Sequence, residues 1–304
     1  MLLQESFTMA MVETAKQWYR SSRLFYRIST SQIRLLPDFI IIGTQRGGTT
    51  SLYYYLTEHR GIARALIKEV HFFDDHFEEG LNWYRAQFPS SLQKHYAERI
   101  RKEHFLTGES SPYYLFYPLA PKRIAEMVPN AKLIVLLRNP VDRAYSHHWL
   151  VTLEGKEKLS FADAIACEEE RLAGEHEKFV ANEHYSSLNH RHYSYLARGI
   201  YVDQLQQWMQ YYPREQFLIL RSEDFYTDTP TVFKQTLDFL GMDSSTIDST
   251  KQFKQYREPH PRGYKNEEKP PRMDPRIREQ LIEYFRPHNA RLYEFLGRDM
   301  GWDK

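Results

Sequence analysis

Residues 39–51, Phe-Ile-Ile-Ile-Gly-Thr-Gln-Arg-Gly-Gly-Thr-Thr-Ser, run from an apolar strand through a glycine-rich turn into a hydroxyl-rich helix start. The same order of strand, turn and helix recurs along the chain. Ala131–Leu137 is a continuous apolar run of the kind buried on both faces of a parallel sheet, and a helix follows Arg138-Asn139-Pro140 to about Leu150. Further strands are expected at 38–43, Gly61–Val70, Phe105–Glu109 and Gln216–Leu220. Helices are expected at 48–58, 119–127, Tyr193–Tyr212 and Asp228–Leu240, the last closed by Gly241. Another starts at Asp274-Pro275 and carries Ile277, Leu281, Tyr284, Phe285, Leu292 and Phe295 at helical spacing. Strands alternating with helices predict an α/β fold with a right-handed, doubly wound parallel sheet.

The 304 residues suit one α/β domain at 35–304, with an insertion or lid at about 154–192 and a helical or flexible segment at 1–34. Within that insertion, Glu168-Glu169-Glu170-Arg171 reads as a solvated helix face. Lys and Arg number 41 against 40 Asp and Glu, so no global field recruits nucleic acid or an acidic bilayer, and anion binding must be local. Cys167 is the sole cysteine, which excludes an intrachain disulfide and points to a reducing, cytoplasmic setting. No apolar run reaches the roughly 20 residues of a membrane span. Glu5 and Glu13 interrupt the start of the chain, which does not read as a signal peptide.

The 43–51 turn aims several backbone amides and the positive end of a helix dipole at one point, which makes an anion cradle. Gly43 and Gly48 have the spacing of the triphosphate loop G-x-x-x-x-G-K-[ST], but Thr49 stands where that loop needs lysine. The turn is therefore expected to hold a phosphate other than the β/γ-phosphates of ATP. A triphosphatase also needs a strand-end aspartate for magnesium, and the strongest later strand ends instead in Arg138, a fixed fork of donors for a second phosphate. Ser146 follows about two helical turns later. Arg46, Glu69, Glu109 and Arg138 all fall past strand ends, where ligands of such sheets bind. A nucleotide with separated 5′ and 3′ phosphates meets this description.

Gly43–Ser51 resembles the 5′-phosphosulfate loop of the sulfotransferase family that uses 3′-phosphoadenosine 5′-phosphosulfate (PAPS), and Arg138-Asn-Pro-Val-Asp-Arg-Ala-Tyr-Ser146 resembles its 3′-phosphate motif. Lys68-Glu-Val-His-Phe-Phe-Asp74, Arg198-Gly-Ile-Tyr201 and the ending Arg286-Pro-His-Asn289…Gly297–Trp302 are similar to the heparan-sulfate-type branch and its bacterial relatives. The matches run from about 38 to 302.

The resemblance implies sulfuryl transfer from PAPS, without a metal, to a hydroxyl or an amine. It implies that Thr49, Thr50 and Ser51, with the backbone of Gly47 and Gly48, hold the 5′-phosphosulfate, while Arg138 and Ser146 hold the 3′-phosphate. Lys269 and Arg272 match the loop that closes on the nucleotide, with Arg262-Gly263 competing for that place. Glu69 is implied as the base, His71 as its orienting partner or an acceptor contact, and Asp74 as a contact to the acceptor. Arg46 stands where the heparan branch usually has lysine, so its charge would serve the bridging oxygen or a phosphate. Ser110 also replaces a lysine, which weakens the case for an anionic acceptor and leaves a neutral sugar, a lipid or another alcohol. Two rivals remain: a small-molecule kinase of the P-loop type, and a nucleotide-binding scaffold without turnover. The spacing of His184, His190 and His192 is irregular and suits zinc poorly.

Overall fold

Phe39–Gly43 forms β1, the centre of a five-stranded, wholly parallel sheet ordered β2-β3-β1-β4-β5. Its partners are β3 (Leu106–Ser110), with Ile40 opposite Glu109, and β4 (Lys132–Leu137), with Ile40 opposite Leu133. The edges are β2 (Ile62–Arg64) and β5 (Phe217–Arg221). This computed structural model describes residues 2–245, 253 and 271–303; of residues 2–16 it describes the backbone and the side chain of Thr14 alone.

Alternation along the strands divides the core between the two faces of the sheet. Ile40, Ile42, Leu133, Val135 and Leu137 pack on one face with Tyr84, Tyr114 and Trp208. Phe39, Ile41, Ile134 and Leu136 pack on the other with Leu52, Leu56, Val232 and Leu237. The helices that cover them include α2 (Thr49–Glu58), α3 (Ala120–Met127), α4 (Pro140–Leu153), α5 (Tyr201–Trp208), α6 (Thr229–Leu240) and α7 (Pro275–Leu296). The N-terminal residues form α1 (Leu2–Ser29), and no helix of the described residues is long and apolar enough to cross a membrane.

Three expectations are corrected. The second strand stops at Arg64, because the next amides leave the ladder: Ala65 donates to the Tyr53 hydroxyl at 3.0 Å and Leu66 to the Gln87 carbonyl at 2.6 Å. Glu69 and His71 therefore stand on a loop, with left-handed φ of 56° and 51°. The helix expected at Tyr193–Tyr212 is confined to α5, preceded by a 3-10 turn at Ala197–Gly199. Glu168 draws the amides of Leu196 and Ala197 onto its carboxylate at 2.7–2.9 Å, which holds the backbone before the turn out of a helix. Glu168 is consequently buried, so the run 168–171 is not a wholly solvated face. Residues 154–192 contain short helices at Phe161–Ala166, Glu168–Leu172, Glu175–Ala181 and Leu188–His192, and Phe179 joins the main core beside Tyr117.

Candidate active site

The turn after β1 is held by its own backbone and by the ends of two neighbouring strands. The Thr44 amide donates to the Leu136 carbonyl at 3.0 Å, and the Gly47 amide donates to Thr44 at 2.9 Å. Ser222, just past β5, donates its hydroxyl to the Gly47 carbonyl at 2.7 Å. A Cβ at Gly47 would lie 2.7 Å from the Leu136 carbonyl oxygen, so the close approach admits only glycine. Gly48 caps α2 in the left-handed region, φ 96°. The first amides of α2 have no preceding helical carbonyls and carry the positive end of the dipole. The Gly47 amide is already engaged within the turn, which leaves Gly48 and the start of α2 to face an anion. Thr49 and Ser51 are buried there, and Thr50 is half-buried.

The end of β4 comes directly against this turn. Arg138 Nη1 donates to the Arg46 carbonyl at 3.0 Å, and Arg46 Nε donates to Ser146 Oγ at 2.9 Å. Ser146 lies on α4, whose first turn is capped by the Asn139 side chain accepting from the Val141 amide at 3.0 Å. Tyr201 donates to the Arg138 carbonyl at 2.8 Å. The Asn139 amide donates to Glu223, which also receives the Trp302 indole N–H at 3.2 Å. The structure thus brings Arg46, Arg138 and Ser146 together beside Gly47–Ser51. Lys269, like Arg262 and Gly263, lies outside the described residues; Arg272 is exposed just before α7.

The 68–75 loop carries a dense charge cluster. Lys68 Nζ lies 2.6 Å from Glu69 Oε1. His71 bridges two carboxylates, with Nδ1 2.7 Å from Asp74 Oδ2 and Nε2 3.4 Å from Glu69 Oε2. Burial alone would raise the Glu69 carboxyl, but the His71 hydrogen bond and the Lys68 charge overcome it and hold the group at about 2. Burial would lower the His71 imidazolium, yet Asp74 and Glu69 push it up to about 10. The Glu69 side chain remains 34% exposed whereas that of Asp74 is fully covered, so of the two carboxylates on His71 it is Glu69 that stays open to the surroundings. Arg191 closes on Asp74 at 3.2 Å and on Asp75. It supplies the positive charge beside the close set of His71, Asp74 and Asp75.

Two residues that join these parts are Arg198, expected only as part of a motif, and Glu109, expected only at the ligand-binding end of the sheet. Buried Arg198 donates to the Gln45 side chain in the turn and, at 2.9 Å, to the carbonyl of Arg191. Hydrogen bonds therefore run from the glycine turn through Arg198, Arg191, Asp74 and His71 to Glu69. Glu109, inside β3, is fully buried and receives the hydroxyls of Tyr84 at 2.6 Å, Ser111 at 2.7 Å and Tyr114 at 3.4 Å. Burial raises its carboxyl to about 7. Its place at the end of an expected strand was the available signal. Ser110 beside it is also fully buried. The histidines at 184, 190 and 192 serve separate surroundings: His190 meets the Tyr113 hydroxyl and stacks on Phe116, while His184 faces Glu78.

Residues 36–292 match the family model described as the sulfotransferase domain. The chain is 31% identical to human heparan sulfate glucosamine 3-O-sulfotransferase 3B1 over 287 residues, 90% of this chain and 67% of that protein. It is 30% identical to human heparan sulfate glucosamine 3-O-sulfotransferase 6 over 281 residues, 88% of this chain and 74% of that protein. The crystal structure of a sulfotransferase from Alicyclobacillus acidocaldarius aligns with a TM-score of 0.63 at 30% identity, covering 89% of this chain and 100% of that one. A glycine turn shorn of its lysine, an arginine from the adjacent strand and an accessible glutamate thus accompany matches over most of the sequence: the chain belongs to the sulfotransferase family and is an enzyme of that family.

Proposed function

We propose that the enzyme transfers the sulfuryl group of PAPS to a hydroxyl, or less readily an amine, of a carbohydrate, lipid or other small alcohol. The observation that carries this reading is the junction of Arg46, Arg138 and Ser146 beside the start of α2, which offers donors to two separated anionic groups. Thr49, Thr50 and Ser51 would hold the 5′-phosphosulfate with the Gly48 amide, and Arg138 and Ser146 the 3′-phosphate. PAPS supplies the activated sulfuryl group.

Glu69 takes the proton of the acceptor hydroxyl as the acceptor oxygen bonds to sulfur and the bond from sulfur to the 5′-phosphate oxygen breaks. The electron pair of that bond leaves with the nucleotide. A carboxylate held near 2 is a weak base toward a free alcohol. It becomes competent late in the transfer, when bonding to sulfur has acidified the hydroxyl. Glu109 has the higher proton affinity, but its oxygens are buried and occupied by three hydroxyls, which leaves Glu69 as the base. Arg46 counters charge on the departing oxygen. Asp74 orients His71, and His71 holds the Glu69 carboxylate.

The names of the two human relatives make glucosamine-containing polysaccharides the first acceptors to assay, with neutral sugars beside them because Ser110 brings no cation. Transfer of labelled sulfate from PAPS in the presence of a chelator tests the function. Transfer by wild type with loss in Glu69→Gln supports it; phosphate transfer from magnesium-ATP in its place contradicts it.

A further inference from the structure

The loop that presents Glu69 has left-handed backbone at both Glu69 and His71, and such conformations persist only where the surroundings over-determine them. The amides that follow show what fixes it. The His71 amide donates to Ser111 Oγ at 3.1 Å, and the Phe72 amide donates to the Tyr114 hydroxyl at 2.8 Å. Each of those hydroxyls has a single proton, directed to Oε2 of Glu109 at 2.7 and 3.4 Å, while Tyr84 donates to Oε1 at 2.6 Å.

We propose that Glu109 is a positioning residue: by accepting from Ser111 and Tyr114 it leaves their lone pairs to the amides of His71 and Phe72. The 69–74 loop is thereby locked in the conformation that presents Glu69 to the acceptor. The proposal rests on Glu69 as base and adds the element that holds it in place.

Above about pH 7, where the Glu109 carboxyl is ionised, it is a side chain that only accepts, and the variants are compared there. Glutamine preserves the shape but not this polarity. Its NH₂ must face either Tyr84 or the Ser111–Tyr114 pair, and the hydroxyl it meets then loses its acceptor. If that hydroxyl is Ser111 or Tyr114, the glutamine NH₂ competes with the backbone N–H for its oxygen while its own proton loses its acceptor, and the relay fails. If it is Tyr84, a fully buried phenol is stranded. A carboxylate that merely filled a polar niche in the core would affect stability without touching the loop.

The experiment compares Glu109→Gln with wild type, and Ser111→Ala with both, because alanine breaks one relay at a small side chain should the glutamine variant fail to fold. Three quantities are read: kcat for sulfate transfer, affinity for adenosine 3′,5′-bisphosphate, and the NMR titration of the His71 ring. Displacement of the loop by about 1 Å is expected to reduce kcat roughly 10- to 100-fold. Nucleotide affinity should stay within about twofold of wild type, and the His71 midpoint should fall from about 10 as the ring loses its carboxylates. Folded variants with wild-type kcat and an unchanged His71 titration overturn the proposal. If Glu69→Gln abolishes transfer in the same assay, that result leaves the base assignment standing. If the His71 titration moves while Glu69→Gln and Glu109→Gln both keep full kcat, the relay is upheld and the base assignment falls.

Discussion

Arg138 and Arg46 meet at the crest of the sheet: the Arg138 guanidinium donates to the Arg46 carbonyl at 3.0 Å, and Arg46 in turn donates to Ser146 at 2.9 Å. These contacts bring two arginines to the same end of the sheet, where an incoming anion meets positive potential. Arg46 also stands in the left-handed region, φ 71°, a backbone strain common where function positions a side chain.

The Arg46 charge is accordingly expected to act in the transition state. Arg46→Ala should lower kcat roughly 10²- to 10³-fold, the scale of losing one oxyanion donor. Arg46→Lys should recover most of the rate, since it keeps the cation and loses only the fork geometry. Steady-state kinetics at saturating donor measures both; equal rates for alanine and arginine would assign Arg46 to the turn alone.

Glu69→Gln is expected to lower kcat about 10²- to 10⁴-fold while nucleotide affinity holds, because glutamine cannot accept the proton. The wild-type carboxyl is held at about 2, below its ordinary 4.5, so it stays ionised throughout the neutral range. Its stabilising contribution is present above pH 4.5 and disappears as pH falls toward 2. A pH–rate profile of wild type should therefore show no acid limb from Glu69 between pH 5 and 8, and such a limb missing in the glutamine variant would contradict the assignment.

His71 has the opposite sign. Its folded-state value is raised to about 10 from the ordinary 6.5, so its contribution to stability is complete below 6.5 and fades as pH rises through about 10. Denaturant unfolding at pH 6, 8 and 10 should show stability falling across this range, and the fall should be smaller in His71→Asn. An unchanged slope in that variant would place the ion pairs of the loop outside the stability balance.

Much of this was legible beforehand because periodicity and turn chemistry are local. The apolar runs at 39–43 and 132–137 gave two central strands, and Gly47 and Gly48 gave the turn between strand and helix. Non-local partners were not legible. The end of the second strand depended on Tyr53 and Gln87, and the break before α5 on Glu168, all remote in sequence. Arg198 appeared in the sequence only as part of a familiar motif, since its link to Gln45 spans 153 positions. Asp74 was expected against the acceptor, whereas its carboxylate is covered and engaged with His71 and Arg191, contacts that no spacing encodes.

The proposed transfer requires two adjacent sockets that bind the two ends of one nucleotide. Titration calorimetry with adenosine 3′,5′-bisphosphate, adenosine 5′-monophosphate and ADP, on wild type and Arg138→Ala in a chelator, tests it most directly. The bisphosphate is expected to bind roughly tenfold or more tightly than the monophosphate, the scale of a charge-assisted hydrogen-bonded contact, and Arg138→Ala to remove this preference. Equal affinity for all three nucleotides, or a preference that survives without Arg138, would contradict it.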